Sequence, residues 1–191
     1  MKVTKEQFEQ NRLALLDAAA RLFKQYGIDG VGVADICKAA GLTHGALYKH
    51  FADKQDLAAQ AFTHGFRKGF DKTTKPKDGS AATLSTYLDQ YLSRRVRDDD
   101  AAGCPVVIAS CDTGRHSEAV SQSYPAGFVE LREGLQAVLD GDEGQATLAV
   151  AALIGAMAIS RGVVKTDPAL ANDVLKLVRE GLEGLTLSPV R

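Results

Sequence analysis

Apolar positions along this chain recur at three- and four-residue intervals, the period of an α-helix with one buried face. Leu15, Leu16, Ala19, Leu22, Phe23 and Tyr26 form a first stripe that stops at Gly27. Val33, Ile36, Cys37 and Ala40 form a second, about two turns long, that stops at Gly41. Lacking a Cβ, Gly41 can take the left-handed conformation that ends a helix, which lets Leu42 drop into the core behind the turn. Thr43 follows as an N-cap and predicts a short helix from His44 to about His50. That helix sets Ala46, Leu47 and Phe51 against its predecessor and leaves His44, Tyr48 and Lys49 projecting elsewhere. Asp53 and Asp56, three residues apart ahead of Leu57, Ala58, Ala61 and Phe62, predict a further capped helix with Lys54 in its first turn.

About five more helical segments follow. A break is expected over 72–79, around Pro76 and Gly79. Leu84, Leu88, Tyr91, Leu92 and Val96 make the next stripe, ended by Asp98, Asp99 and Asp100. Gly103, Cys104 and Pro105 open another helix, since proline is tolerated in a first turn. A segment from Ser117 is interrupted at Pro125 and resumes through Phe128, Leu131, Leu135 and Leu139. The stretch 146–164 is rich in alanine and glycine, with Ala151, Gly155 and Ala158 spaced for close helix approach, and it is apolar around much of its circumference. Asp167 and Pro168 start the last helix, 168–185, expected to bury Leu170, Val174, Leu177, Val178, Leu182 and Leu185.

The stretch 33–51 reads as a helix-turn-helix, in which the second helix is braced from behind while its N-terminal residues meet base edges and phosphates. Four blocks in order carry a closer likeness: Arg12 to Phe23, then Tyr26 and Gly27, then Val33 to Gly41, then Gly45 to Phe51 with Lys54. Over roughly its first third the chain resembles the TetR-type (tetracycline-repressor-like) transcriptional regulators. The resemblance implies an all-α chain: an N-terminal three-helix DNA-binding domain, 1–54; a connecting helix, 55–74; and a C-terminal helical effector-binding and dimerisation domain, 75–191. It implies a homodimer on a palindromic double-stranded DNA operator, acting as a repressor and released by a small-molecule effector. Carried over by position, Thr43, Tyr48, Lys49 and Lys54 are implied to touch phosphates, with His44 and Ala46 nearest the bases. Gly32 stands where the family often has threonine, so no hydroxyl is offered there. His44 replaces a frequent lysine or arginine, which removes a bidentate guanine contact.

Charge fits this division. The net charge of −1 excludes a polycation, but residues 1–77 hold 13 Lys+Arg against 8 Asp+Glu, while 78–191 hold 10 against 16. A basic head and an acidic body suit a chain whose first part alone faces nucleic acid. At 191 residues with 45% hydrophobic content, two modest helical domains have enough material for cores. No secretory signal is read at the N-terminus, and the most apolar run, 146–160, falls short of the ~20 residues a membrane span needs. The expectation is a cytoplasmic protein with no membrane partner.

In the body, Tyr87, Tyr91, Cys104, Cys111, His116, Tyr124 and Met157 are the candidates to line a largely apolar effector pocket. The same residue types also fill helical cores. The helices 146–164 and 168–185 are the expected dimer interface, as a four-helix contact between two copies; a core helix within one chain would show the same pattern. Three cysteines fit neither a disulfide framework nor a zinc pattern. A thiolate at a helix start is reactive, so Cys104 or Cys111 could sense oxidants, against the reading that both are inert. Cys37 lies on the head's apolar stripe and reads as packing, and His64 as a solvated helix residue. Asp112 and His116 make a poor metal pair. No cofactor is implied and no catalytic constellation is present, so the chain reads as a regulator and not an enzyme; the remaining alternative is a ligand- or thiol-responsive interaction protein without operator binding.

Overall fold

Thr4 begins the first helix by accepting the Gln7 N–H on its hydroxyl (3.1 Å), which satisfies one of the free donors of the first turn. The structure is a computed structural model that describes residues 4–74, 83–99, 104, 106–107 and 118–185. Its elements are α1 (Lys5–Tyr26), α2 (Val33–Ala40), α3 (His44–Leu47), α4 (Lys54–Thr74), α5 (Leu84–Tyr91), α6 (Arg94–Asp98), α7 (Glu118–Gln136), α8 (Glu143–Val163) and α9 (Pro168–Leu185). No strand occurs among the described residues, so the fold class is all-α.

Two apolar cores form. The first joins Leu15, Ala19 and Phe23 of α1 to Ile36 and Cys37 of α2, Leu47 of α3, Phe51, and Leu57, Ala58 and Ala61 of α4. The second gathers Phe66 of α4 with Leu84, Tyr87, Leu88 and Tyr91 of α5, Leu131 and Leu135 of α7, and the inner faces of α8 and α9. Helix α4 contributes to both, its first half to one and its second half to the other. Helix α7 lies along it. Val120 of α7 is buried in the first core, while Gly127 packs against the second. A Cβ at Gly127 would stand 3.3 Å from the Phe62 ring, so the missing side chain is what lets α7 approach α4 closely.

Four expectations are corrected. The third helix stops at Leu47 instead of His50, because Lys49 and His50 turn their N–H groups to the carbonyls three residues back (3.2 and 2.9 Å); this tightening swings Phe51 into the core. Helix α7 passes through Pro125 without a break. A proline inside a helix costs about 3 kcal/mol, and burial of Val120 on one side and Leu131 and Leu135 on the other holds the helix across it. In α9, Leu170 and Leu177 face outward at 46% and 63% exposure, while Ala171, Leu175 and Leu182 take the buried positions. His64 is not simply solvated: its Nε2 meets Asp17 Oδ1 at 2.8 Å, where Lys68 Nζ also bonds at 2.8 Å, tying α4 to α1.

The expected break at 72–79 falls partly inside α4, which runs to Thr74, and otherwise outside the described residues. Helix α8 has 21 residues and is long and apolar enough to cross a membrane by length and composition, more than the 146–160 run suggested. Its Ala149, Val150, Leu153, Ala156 and Met157 nonetheless pack in the second core. Ser160 Oγ donates to the Ala171 carbonyl (2.8 Å) and pins α8 to α9 in the interior. Arg97 is 7% exposed, which the stripe did not foresee; it is satisfied by Asp98 and by Asn172 Oδ1 (2.9 Å).

Leu47 joins α3 to the head core at 0% exposure. Leu47→Ala should therefore cost about 2–5 kcal/mol of unfolding free energy in a denaturant titration. A loss under about 1 kcal/mol would show that α3 is not held by this contact.

Candidate nucleic-acid interface

The candidate surface is built from α2 upward. Asp35 Oδ2 accepts the Gly32 N–H (3.1 Å) and opens α2, whose Ile36 and Cys37 are buried. Gly41 then takes the left-handed conformation at φ 67° and ψ 29°, and Leu42 N–H closes back on the Cys37 carbonyl (2.9 Å). Thr43 is extended, and its Oγ1 accepts the Ala46 N–H at 3.3 Å. The hydroxyl proton of Thr43 stays available as a donor.

From that cap, α3 turns Leu47 inward and His44, Tyr48 and Lys49 outward; Tyr48 is 56% exposed, and Ala46 is half-buried. Asp53 Oδ1 accepts the N–H groups of Gln55 and Asp56 (2.8 Å each) at the start of α4, and Asp56 Oδ2 accepts the Ala52 N–H (2.9 Å). Half-buried Lys54 lies in this first turn. Thr43, His44, Tyr48, Lys49 and Lys54 are thus presented by two adjacent helix starts, with Leu47 and Phe51 behind them at 0% and 2% exposure.

His50 belongs to the scaffold beneath this surface. Its ring lies 4.0 Å from that of Phe8, and its buried Nδ1 has no hydrogen-bond partner. Burial holds its pKa below the ordinary histidine value, helped by Arg12 and opposed by Glu9. Arg12 lies over the Phe51 ring, 5.9 Å from its centre.

The candidate effector residues divide. Tyr87 and Tyr91 stack in the second core with ring centres 6.0 Å apart and planes 10° from parallel; among the described residues the buried Tyr87 hydroxyl has no hydrogen-bond partner, and that of Tyr91 meets only the Cys104 thiol. Burial, then the neighbouring Cys104, push both phenols well above their usual pKa. Desolvation likewise raises the Cys104 thiol, although Tyr91 and the N–H groups of Val106 and Val107 beside it pull the other way. Burial thus works against the thiolate that a reactive helix-start cysteine needs. Met157 is fully buried in the same core and Tyr124 packs at its edge, whereas Cys111 and His116 lie outside the described residues. Cys37 is buried among apolar neighbours in the head, as its stripe implied, and burial raises its thiol. Among the described residues no group of three or more His, Cys, Asp or Glu could hold a metal ion.

The family model described as "Bacterial regulatory proteins, tetR family" matches residues 15–61, the segment that builds this surface. The HTH-type transcriptional regulator AcrR of Shigella flexneri is 46% identical over 57 residues, 30% of this chain and only 26% of that protein. The HTH-type transcriptional regulator TtgR of Pseudomonas putida is 25% identical over 204 residues, covering 97% of this chain and 96% of TtgR. In structure, a TetR-family transcriptional regulator from Agrobacterium tumefaciens matches with a TM-score of 0.74 at 19% identity, over 91% of this chain and 98% of that one. The last likeness establishes the shared helical fold.

The depressed pKa of His50 fixes a sign. Below about pH 6.5 the unfolded chain binds a proton that the folded chain resists, so stability is full above that pH and falls as pH drops through it. Thermal unfolding from pH 7 to 5 should show this decline, and His50→Phe, which keeps the contact with Phe8, should flatten it. An unchanged pH dependence in the variant would show that another group is responsible.

Proposed function

We propose that this chain, which belongs to the tetR family of bacterial regulatory proteins and is a helix-turn-helix transcriptional regulator, binds a palindromic operator as a homodimer and releases it when a small molecule enters its second core. The observation that carries the reading is the outward display of Thr43, His44, Tyr48 and Lys49 on a turn clamped by Leu47 and Phe51, with Lys54 next to it. Side chains presented in this way meet phosphates through Thr43, Tyr48, Lys49 and Lys54, and base edges through His44 and Ala46. The corresponding division is a DNA-binding domain at 1–54, a connecting helix at 55–74 and an effector and dimer domain at 75–191. Repression in the cytoplasm is part of this proposal, supported by relatives whose names describe repressors.

A second copy is the reading that accounts for the outer faces of α8 and α9. Leu148 and Ile159 on α8 are 56% and 54% exposed, Leu170 and Leu177 on α9 face out beside them, and Ala151 and Ala158 leave room for a close approach. Large apolar side chains gathered on two adjacent helices mark an interaction surface. The partner we assign is the same pair of helices in another copy, which would set two heads one DNA turn apart, about 34–36 Å, or a multiple of it.

For the effector, the Tyr87 hydroxyl, unpartnered among the described residues, supplies the argument. A buried polar group without a partner is unfavourable by roughly 1–3 kcal/mol. A largely apolar molecule carrying a hydrogen-bond acceptor would relieve that cost only in the state it occupies. Such unequal binding is what an effector needs in order to shift the heads through α4.

Selection of bound sequences from a random duplex library with the whole protein, followed by a salt titration, tests the operator reading. An enriched palindrome whose affinity falls steeply with salt is expected; no enrichment at low salt from folded protein would favour an interaction protein instead. Tyr48→Phe with Lys49→Ala should weaken all duplexes together and reduce the salt slope, whereas His44→Ala should change the preferred bases. A uniform loss from both would overturn the assignment of α3. Leu177→Glu should convert dimers to monomers in sedimentation and abolish preference for a palindrome. Unchanged sedimentation would remove α9 from the interface. Tyr87→Phe should raise unfolding free energy by about 1 kcal/mol, since it deletes an unpaired hydroxyl, and a clear loss of stability would show that the hydroxyl is already satisfied.

A further inference from the structure

A second opening lies away from the tyrosine core, where the head meets the body. It is a cleft of about 800 Å³ walled by α1, α4 and α7, within the size range of small-molecule sites. Its apolar wall includes Leu13, which is 46% exposed on the cleft, and Leu16 beneath it. Its charged groups are Arg12 and Asp17 from α1 and His64, Arg67 and Lys68 from α4, while α7 adds only neutral Ala119, Gln122 and Ser123.

The charges do not cancel. Asp17 is the single carboxylate in the lining and is already taken by His64 and Lys68 at 2.8 Å each. Arg12 bonds a neutral amide, Gln60 Oε1, at 2.6 Å, and exposed Arg67 has no ion pair among the described residues. Two guanidinium groups therefore face the opening without a carboxylate to neutralise them. Guanidinium is also the cation best shaped to take two oxygens of one oxyanion, planar or tetrahedral, because its N–H groups form a rigid fork.

The geometry points to a binding site for an amphipathic organic anion in the α1–α4–α7 cleft, its carboxylate or sulfonate held by Arg12 and Arg67 and its apolar body against Leu13. This site is separate from the effector position proposed in the second core. It is also wired to the reading surface. Arg12 bonds Gln60, Gln60 Nε2 donates to Asp56 Oδ1 (2.8 Å), and Asp56 Oδ2 holds the Ala52 N–H (2.9 Å) in the turn beside Lys54. An anion that draws Arg12 away from Gln60 loosens the first link of that chain, so occupancy of the cleft is coupled to the position of the first turn of α4.

The probe is 1-anilinonaphthalene-8-sulfonate, an aromatic sulfonate titrated by fluorescence into the whole protein and into three variants. Arg67→Glu should weaken binding about tenfold or more, the scale of one lost charge-assisted hydrogen bond. Arg67→Lys, which keeps the charge, should lose less, and Arg95→Glu, the same charge change at an exposed α6 position outside the cleft lining, should bind as the parent does. Arg67 is exposed, so its variants should melt with the parent chain. Equal affinity in Arg67→Glu would overturn the site, as would an equal loss in Arg95→Glu. The readout needs no DNA, so failure of the operator reading would leave this result standing, and the reverse holds too.

Discussion

Everything in this molecule hangs on α4 being shared between two cores. Its 21 residues span about 31 Å at 1.5 Å per residue. Leu57, Ala58 and Ala61 are buried with α1, α2 and α3, while Phe66 is buried with α5, α7 and α8. A helix held in two cores cannot shift in one without moving in the other. Close-packed interiors transmit such shifts because they resist compression. Helix α7 reinforces the coupling, with Val120 in the first core and Gly127 against Phe62 and Phe66 at the second.

That constraint makes the polar contacts along α4 consequential. The clasp of Asp17 with His64 and Lys68 and the run from Arg12 through Gln60 to Asp56 both join α4 to its surroundings on the head side. Burial weighs against the Asp17 carboxylate, but its hydrogen bonds to Lys68 and His64 prevail and hold its pKa below the usual value. These groups are half-exposed, so their energetic weight is modest. What they supply is attachment: they tie α4 to α1 at Gln60, His64 and Lys68. In the body, the phenol of Tyr87, unpaired among the described residues, places an unmet demand for a hydrogen bond inside an otherwise apolar core. A molecule that meets this demand gains most in the arrangement where the tyrosines stay enclosed.

The local elements of the head were legible in the sequence because each rests on neighbours in the chain. Gly41 ends α2 in the left-handed conformation, Thr43 caps α3, Asp53 caps α4, and Asp167 Oδ1 accepts the Leu170 N–H at the start of α9. Caps and glycine turns are decided within a few residues, so local chemistry suffices to read them. The outward set of Thr43, His44, Tyr48 and Lys49 follows from the same register once Leu47 is known to face inward. Pro125 misled for the opposite reason: its local preference is to break a helix, and distant packing at Val120 and Leu131 overrode it.

The sequence by itself determined the helical class, most of the element starts and stops, and the outward display of Thr43, His44, Tyr48 and Lys49, because periodicity and capping are properties of contiguous chain. Only the tertiary structure decided what meets across long separations. It set His64 and Lys68 on Asp17, stacked Tyr87 on Tyr91 beside Cys104, turned Leu170 and Leu177 outward, and opened the basic cleft between α1, α4 and α7. A helical stripe says that a face will be covered without saying by which helix. When several helices compete for the same apolar faces, only packing in three dimensions settles which are buried within the chain and which are left for a partner.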